Sequence, residues 1–315
     1  MQFERSFNYK AMPFLMKLMR NIKRDKYLLL LMFPIVLYYA VFHYWPIYGA
    51  QIAFKNFQPA LGIVRSPWIG FSHFTSFFQS TFFPRLISNT IILSVYSLLW
   101  GFPIPIIFAL LLNEIRDGIF KRVTQTISYL PYFISIVVVV SLLNNFFSQT
   151  DGLINNIRQS MGLSTVGYLD NPGLFRTMYI ASGVWQHFGW GSIIYIAAIS
   201  GVDPTLYEVA TIDGCSRWKQ VFFVTLPSIL PTIIIQLLLS LGSIMSIGHE
   251  KVYAMQRPLN MATSDIISVY VYQRGIIRSD FGFGSAIGLF NSVINFSLLL
   301  FFNKVSRRVT QISLF

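Results

Sequence analysis

The sequence has very little charge for its length. Of its 315 residues only 11% are charged, while 54% are hydrophobic. Soluble domains carry about 25% charged residues. So few polar side chains cannot cover a globular surface, which argues against an ordinary soluble enzyme. The composition instead indicates a protein that crosses a membrane several times.

The chain is also poor in residues that hold metals or make disulfides. Its one cysteine, Cys215, cannot form an internal disulfide, and a single cysteine excludes most cysteine metal sites. The histidines at positions 43, 73, 187 and 249 lack the spacing of metal ligands, so no metal site is expected. The phosphate-binding loop Gly-x-x-x-x-Gly-Lys-Ser/Thr is missing as well, so we expect no ATP hydrolysis by this chain itself.

Basic residues outnumber acidic ones and give a net charge of +12. They do not form one patch, which argues against nucleic acid as a partner, but gather at the flanks of apolar runs. This is the positive-inside pattern, and it predicts a basic cytoplasmic tail at 1–26 and a second at 304–315. The three clusters are Lys17, Arg20, Lys23, Arg24 and Lys26; Arg116, Lys121 and Arg122; and Lys304, Arg307 and Arg308.

Six apolar stretches are long enough to cross a membrane, which takes about 20 residues for roughly 30 Å. They are continuous rather than alternating, so they predict helices and not barrel strands. The first is long and aromatic with no small-residue cleavage site behind it, so we interpret it as a retained span and not a signal peptide. The sequence therefore predicts an all-α domain over 27–303, with spans at about 27–47, 87–112, 125–148, 175–200, 228–248 and 281–303.

A polar insert at 203–227 separates the fourth span from the fifth. Asp203-Pro204 is typical of a helix start, and Asp213-Gly214 of a turn that ends that helix. A second helix should then end at Leu226-Pro227. The expected apolar stripes are Leu206, Val209 and Ala210 on the first helix, with Glu208 on its far side, and Trp218, Val221, Phe222 and Thr225 on the second.

The amino-acid sequence of this insert closely resembles the EAA loop of ATP-binding-cassette importers. The matching positions are Glu208, Ala210, Asp213, Gly214, Phe222, Leu226, Pro227 and Pro231, with Val209 and Cys215 where the family has alanine. The resemblance implies the six-helix permease fold of a type I importer, whose cytoplasmic helix-turn-helix docks into an ATPase. It also implies that Glu208 meets a basic residue of the ATPase and that Gly214 permits the bend; we include Arg217 in the coupling set.

Three further stretches resemble the oligosaccharide and polysaccharide branch of carbohydrate importer permeases: 48–55, 242–250 and 288–290, the last with Asn291 and Asn295. The resemblance implies an extracellular sugar-binding protein or lipoprotein, a second homologous permease and two ATPase subunits that carry ATP and Mg. No cofactor is expected on this chain. Its expected place is the cell membrane, with both termini in the cytoplasm.

Polar side chains inside the spans are the candidates for a sugar path. Gln186 and Trp190, four residues apart, share a face of the fourth span, with Asn144 and Asn291 expected opposite. Gln236 and Asn295 complete the set. Trp185 points about 140° away from Trp190 and is expected to pack against a neighbouring helix. The open alternative for each polar residue is hydrogen bonding between helices.

Two other functions remain open at this point. The chain could be an importer permease for another solute, such as an amino acid, a peptide or phosphate. A secondary transporter is a more distant alternative, because it would need membrane-embedded charged pairs or an internal repeat. The six spans contain almost no ionisable residues.

Overall fold

The computed structural model describes residues 24–314, so Lys17, Arg20 and Lys23 of the predicted basic tail lie outside the described residues. Over the described range the chain is helical and has no strand; one isolated bridge joins Lys55 and Trp68. The all-α prediction is confirmed.

Fourteen helices, numbered in chain order, organise the described residues. α5 ends in a tight turn, α13 runs into a wide turn at Tyr272–Ile277, and a tight turn at Pro258–Asn260 precedes α12. The bounds are α1 Lys26–Phe54, α2 Gly62–Arg65, α3 Ser72–Phe78, α4 Phe83–Glu114, α5 Ile119–Phe133, α6 Ile136–Phe147, α7 Leu153–Ser160, α8 Pro172–Ser200, α9 Pro204–Ile212, α10 Arg217–Gly242, α11 His249–Met255, α12 Met261–Ser264, α13 Ile267–Val271 and α14 Phe281–Thr310.

Four of these helices, α1, α4, α10 and α14, are long and apolar enough to cross a membrane alone. Two more spans arise if the bent pairs α5–α6 and α8–α9 each count as one, with bends of 100° and 71°. The described residues therefore hold four to six candidate spans. Six remains a prediction for the exact number.

The third predicted span, 125–148, is not one helix. It breaks between α5 and α6, because Pro131 has no backbone N–H to continue the helical ladder and Ser135 starts a new one. The Ser135 hydroxyl accepts a hydrogen bond from the Val138 amide at 3.4 Å. The carbonyl of Ile134 is left at the break and needs a partner from elsewhere.

The fifth span also differs from the prediction. Helix α10 runs through Leu226-Pro227, so the expected helix end there is wrong. A π-turn at Val221–Thr225 precedes the proline, and the Leu226 amide bonds to the Val221 carbonyl five residues back. Such a turn accommodates the proline without ending the helix. At its other end α10 stops at Gly242, six residues earlier than predicted.

Helix α8 lies at the centre of the fold and packs against α4, α5, α10 and α12. Its buried residues Phe175, Ile180, Tyr195 and Ile199 belong to two core clusters, one toward each end. In contrast, α1 has no buried residue over its first nineteen positions, 26–44. Its last turns pack on α14.

Candidate functional site: the coupling unit and a serine-lined cavity

The predicted helix-turn-helix is present as α9 followed by the first turns of α10, and we call residues 203–227 the coupling unit. Asp203 caps α9 as predicted, since its carboxylate accepts a hydrogen bond from the Thr205 amide at 2.9 Å. Pro204 occupies the first turn, where no partner for its missing N–H is needed.

Gly214 makes the turn between the two helices with φ +74°, a left-handed conformation that favours glycine. The Cys215 amide donates to the Ala210 carbonyl at 2.9 Å, and the Gly214 amide to Thr211 at 3.0 Å. These two bonds are the Schellman arrangement that closes a helix end. The predicted bend at Asp213-Gly214 is confirmed.

Side-chain hydrogen bonds hold the two helices together, and three of the residues that make them, Tyr207, Thr211 and Gln220, were not predicted from the sequence. The hydroxyls of Tyr207 and Thr225 lie 3.0 Å apart. The Gln220 amide donates to the Thr211 hydroxyl at 3.0 Å and to the Cys215 carbonyl at 3.2 Å. The unit is therefore fastened across its turn as well as at its end.

The predicted apolar stripes are only partly buried. Ala210, Val221 and Thr225 are buried, but the other four stripe residues are exposed, because the two short helices are not covered by other described elements on that side. The unit thus presents a group of exposed apolar side chains. Its exposed apolar residues are Leu206, Val209, Ile212, Trp218, Phe222 and Phe223.

The charged members of the coupling set, Glu208, Asp213 and Arg217, lie exposed on this unit. None of them forms an ion pair within the described part of the chain. Leu226 and Pro227 lie at the end of the unit, where the regular α-helical part of α10 begins.

Three of the polar residues predicted for a sugar path, Gln186, Asn291 and Asn295, hydrogen-bond to irregular backbone. The buried Gln186 donates through its amide to the Ile134 carbonyl at 2.8 Å, which satisfies the break between α5 and α6. Asn295 accepts from the Met245 amide at 2.9 Å and donates to the Ser246 hydroxyl at 2.7 Å. These bonds fit the rule that irregular backbone at membrane depth needs side-chain partners.

Asn291 and Asn144, also predicted for the sugar path, each hydrogen-bond to a residue of another element. Asn291 donates to the Met245 carbonyl at 3.1 Å. Asn144 accepts from Arg257 at 2.6 Å, and Arg257 also pairs with Asp170 at 3.2 Å. The alternative of hydrogen bonding between elements therefore accounts for the positions of both asparagines.

Trp190 stacks on Tyr132, with ring centroids 4.6 Å apart and an angle of 7° between the planes. Trp185 is 43% exposed and lines apolar grooves beside α4 and α6. Neither tryptophan lines the cavity described next, and Gln186, Asn144, Asn291 and Asn295 do not line it either. Their role in a path stays a prediction.

A cavity of about 420 Å³ with a mixed polar and apolar lining lies between α4, α8, α10 and the segment after α10. Of the predicted residues it contains Gln236. Helix α8 contributes the stripe Tyr179, Gly183, His187, Gly191 and Tyr195 to this cavity and to an adjoining one of about 250 Å³. This stripe is one residue, about 100°, away from the Gln186–Trp190 face. The two cavities share Ser97, Gly101 and Tyr179.

Five serines line the larger cavity: Ser94, Ser97, Ser240, Ser243 and Ser246. The Ser94 hydroxyl is buried and has no hydrogen-bond partner within the described residues. Hydroxyl groups both donate and accept, so this lining matches a ligand rich in hydroxyls. Ser94 and Ser97 are three residues apart, and so are Ser240, Ser243 and Ser246. This spacing is the sequence signal that could have identified the cavity-lining face of α4 and of the end of α10.

The chain matches known transport proteins over most of its length. A family model described as "Binding-protein-dependent transport system inner membrane component" matches residues 101–311. Protein LplB of Bacillus subtilis is 40% identical over 297 residues, which covers 94% of this chain and 93% of that protein. The polygalacturonan/rhamnogalacturonan transport system permease protein YteP of the same species is 38% identical, with 93% and 91% covered.

Solved structures agree. A chain from the crystal structure of a bacterial ABC transporter involved in the import of the acidic polysaccharide alginate has a TM-score of 0.85 and 42% identity, and the match covers 93% of this chain and 99% of that one. A structure of the bacterial alginate ABC transporter in complex with an alginate pentasaccharide-bound periplasmic protein matches with the same TM-score and 40% identity, covering 94% and 99%. Because the family model covers about two thirds of the chain and the relatives nearly all of it, the protein belongs to the inner membrane components of binding-protein-dependent transport systems.

Proposed function

We propose that this chain is a permease subunit of an ATP-driven importer that carries an oligosaccharide through the serine-lined cavity. One observation carries the proposal: two of the helices that wall the cavity, α8 and α10, are connected to each other through the coupling unit. Helix α8 lines it with Tyr195 and ends at Ser200, three residues before Asp203, while α10 begins at Arg217 and lines it with Gln236. The twenty residues from Arg217 to Gln236 span about 28 Å of one helix.

The coupling unit is suited to receive force from a partner. Its exposed apolar residues would dock into a cleft of the ATPase, and Glu208 would meet a basic residue there. The bonds of Gln220 and Tyr207 keep the two short helices together, so a displacement of the unit would move α8 and α10 as levers. Closure of the ATPase pair on ATP would then open the cavity toward one face of the membrane and close it toward the other.

The hydroxyl lining supports a sugar as the solute. Serine hydroxyls and Gln236 would exchange hydrogen bonds with sugar hydroxyls, and the rings of Tyr179 and Tyr195 offer apolar faces to sugar C–H groups. YteP is named for polygalacturonan and rhamnogalacturonan, and the solved transporter imports alginate. An amino acid or a peptide carries an ammonium group, and no carboxylate lines either cavity to pair with it.

The partners follow from the same proposal. ATP and Mg would be bound by two ATPase subunits, and this chain would do no catalysis itself. An extracellular binding protein would deliver the sugar, as a periplasmic protein is bound to the alginate transporter. The exposed first part of α1 would lie against a second, homologous permease and lipid in the cell membrane. Both termini would be cytoplasmic.

The test is uptake into proteoliposomes that contain the permease pair and its ATPases. With the binding protein present, a labelled oligosaccharide should accumulate only when ATP is supplied. Uptake driven by an ion gradient without ATP would instead establish a secondary transporter, and ATP-driven uptake of an amino acid but no oligosaccharide would overturn the sugar assignment.

The coupling role needs its own variant in the same system. Glu208→Lys should abolish ATP-driven uptake while the chain still inserts and assembles, because it reverses an exposed charge without touching the inward-facing residues. Asp117→Lys is the matched control, since Asp117 is 95% exposed and lies outside the coupling unit. Full uptake by the Glu208→Lys complex would refute the docking role.

A further inference from the structure

Lys251 is a buried cation that has no acidic partner among residues 24–314. It lies on α11 and is 7% exposed. Its ammonium donates to the Tyr179 carbonyl at 3.2 Å and lies 5.0 Å from the centre of the Tyr179 ring. The carboxylates that form ion pairs in the described residues all pair with other cations. An ammonium has three donors, so two of them are free for another acceptor.

The ammonium faces a cavity rather than packed protein. Lys251 lines the cavity of about 250 Å³, together with Gly183 and His187 of the α8 stripe. A Cβ atom at Gly183 would lie 3.4 Å from the ammonium, so the lack of a side chain there keeps this group open to the cavity. Ser97 and Tyr179 also line the serine-lined cavity, so the two cavities are neighbours.

A second buried lysine shows what a structural role looks like. Lys55 is 3% exposed, donates to the Ile63 carbonyl at 2.6 Å and covers the ring of Trp68 at 4.7 Å. It lines neither of the two cavities. Lys251 resembles it in burial and in its single carbonyl partner, and differs in facing the space that the solute would cross.

Burial without a counter-ion makes the charged form of Lys251 costly. Desolvation lowers the pKa of its ammonium to about 8, which still leaves it mostly protonated near neutral pH. A carboxylate that enters the cavity would regain the lost interaction, because a buried charge is tolerated when it is paired and hydrogen-bonded.

We propose that Lys251 binds a carboxylate of the transported sugar, so that the solute is an acidic oligosaccharide with uronic acid residues. This inference rests on the proposed function and adds to it the charge of the sugar. The serines would hold hydroxyl groups in the larger cavity while Lys251 holds the carboxylate next to them.

The experiment measures sugar-stimulated ATPase activity of the reconstituted complex with its binding protein, for wild type and four variants. The probes are trigalacturonate, an alginate trisaccharide and arabinotriose. Lys251→Met should raise the half-maximal concentration of the active acidic probe about tenfold, the factor expected for one charge-assisted hydrogen bond. Lys251→Arg should stay close to wild type, and so should the control Lys55→Met.

Lys251→Gln keeps a donor for the Tyr179 carbonyl and replaces Lys251→Met if that variant fails to assemble. It should show the same rise, since it lacks the charge. An unchanged half-maximal concentration in an assembled Lys251→Met or Lys251→Gln complex would overturn the role of Lys251. Stimulation by arabinotriose but by neither acidic probe would overturn the acidic substrate and leave the proposed function intact. No stimulation by any oligosaccharide would overturn both.

Discussion

Replacing Asn295 by leucine should destabilise the protein far more than the same change at Asn291. Asn295 is 8% exposed and is the partner of both the Met245 amide and the Ser246 hydroxyl, so its loss leaves a buried N–H without an acceptor. That costs about 1–3 kcal/mol for the orphaned donor alone. Asn291 gives up one bond, to the Met245 carbonyl, and its own carbonyl oxygen is already buried without a partner.

For Asn291→Leu the two effects oppose each other. The lost bond is worth about 0.6 kcal/mol by the average for membrane helices, and removal of an unsatisfied buried oxygen offsets it. Thermal unfolding of the two purified variants in one detergent measures the difference. We expect Asn295→Leu to lower Tm by several degrees and Asn291→Leu to change it little. Equal Tm values, or a larger loss for Asn291→Leu, would refute the assignment of these amides to the backbone after α10.

Three further predictions follow from the same structure. Gly214→Ala should cost about 1–2 kcal/mol and reduce coupling, whereas Gly214→Asn should be milder, because the site is left-handed but has open space for a side chain; equal effects in unfolding and ATPase assays would contradict this. Gln186→Leu should lower Tm without a specific effect on sugar affinity, because Gln186 bonds to the Ile134 carbonyl. Gln236→Leu should weaken the stimulation of ATPase activity by sugar at unchanged Tm, because Gln236 lines the cavity. The reverse pattern would exchange their roles. In a cysteine-free background, Met161→Cys should react with an impermeant thiol reagent from outside and Lys219→Cys only after permeabilisation; opposite labelling would invert the topology.

The coupling unit could be predicted from the sequence because its signals are local. A cap at Asp203, a left-handed glycine at Gly214 and the spacing between them act within a few residues of the chain. The continuation of the helix through Pro227 could not be predicted, since the π-turn that permits it has no distinct residue pattern.

The face of α8 toward the cavity was harder to predict. Helical spacing says that Gln186 and Trp190 share a face, but not what that face meets. Gln186 turns toward Ile134 because α5 breaks there, and Asn295 meets Met245 because α10 ends early. The Ile134 carbonyl and the Met245 amide both belong to irregular backbone outside α8 and α14. The residue pattern of α8 or α14 alone therefore gives no information about them.

We propose that sugar passes along the stripe of α8 that includes Gly191, and not along the adjacent face that includes Trp190. Cysteines at these two neighbouring positions sit at the same depth, about 100° apart around the helix. A side chain at position 191 fits with only ordinary contact, at 3.4 Å from Pro105. The measurement is the rate of thiol modification in the reconstituted transporter, with and without the imported oligosaccharide. We predict that the sugar slows the reaction of Gly191→Cys and leaves that of Trp190→Cys unchanged; protection of Trp190→Cys alone would contradict the account.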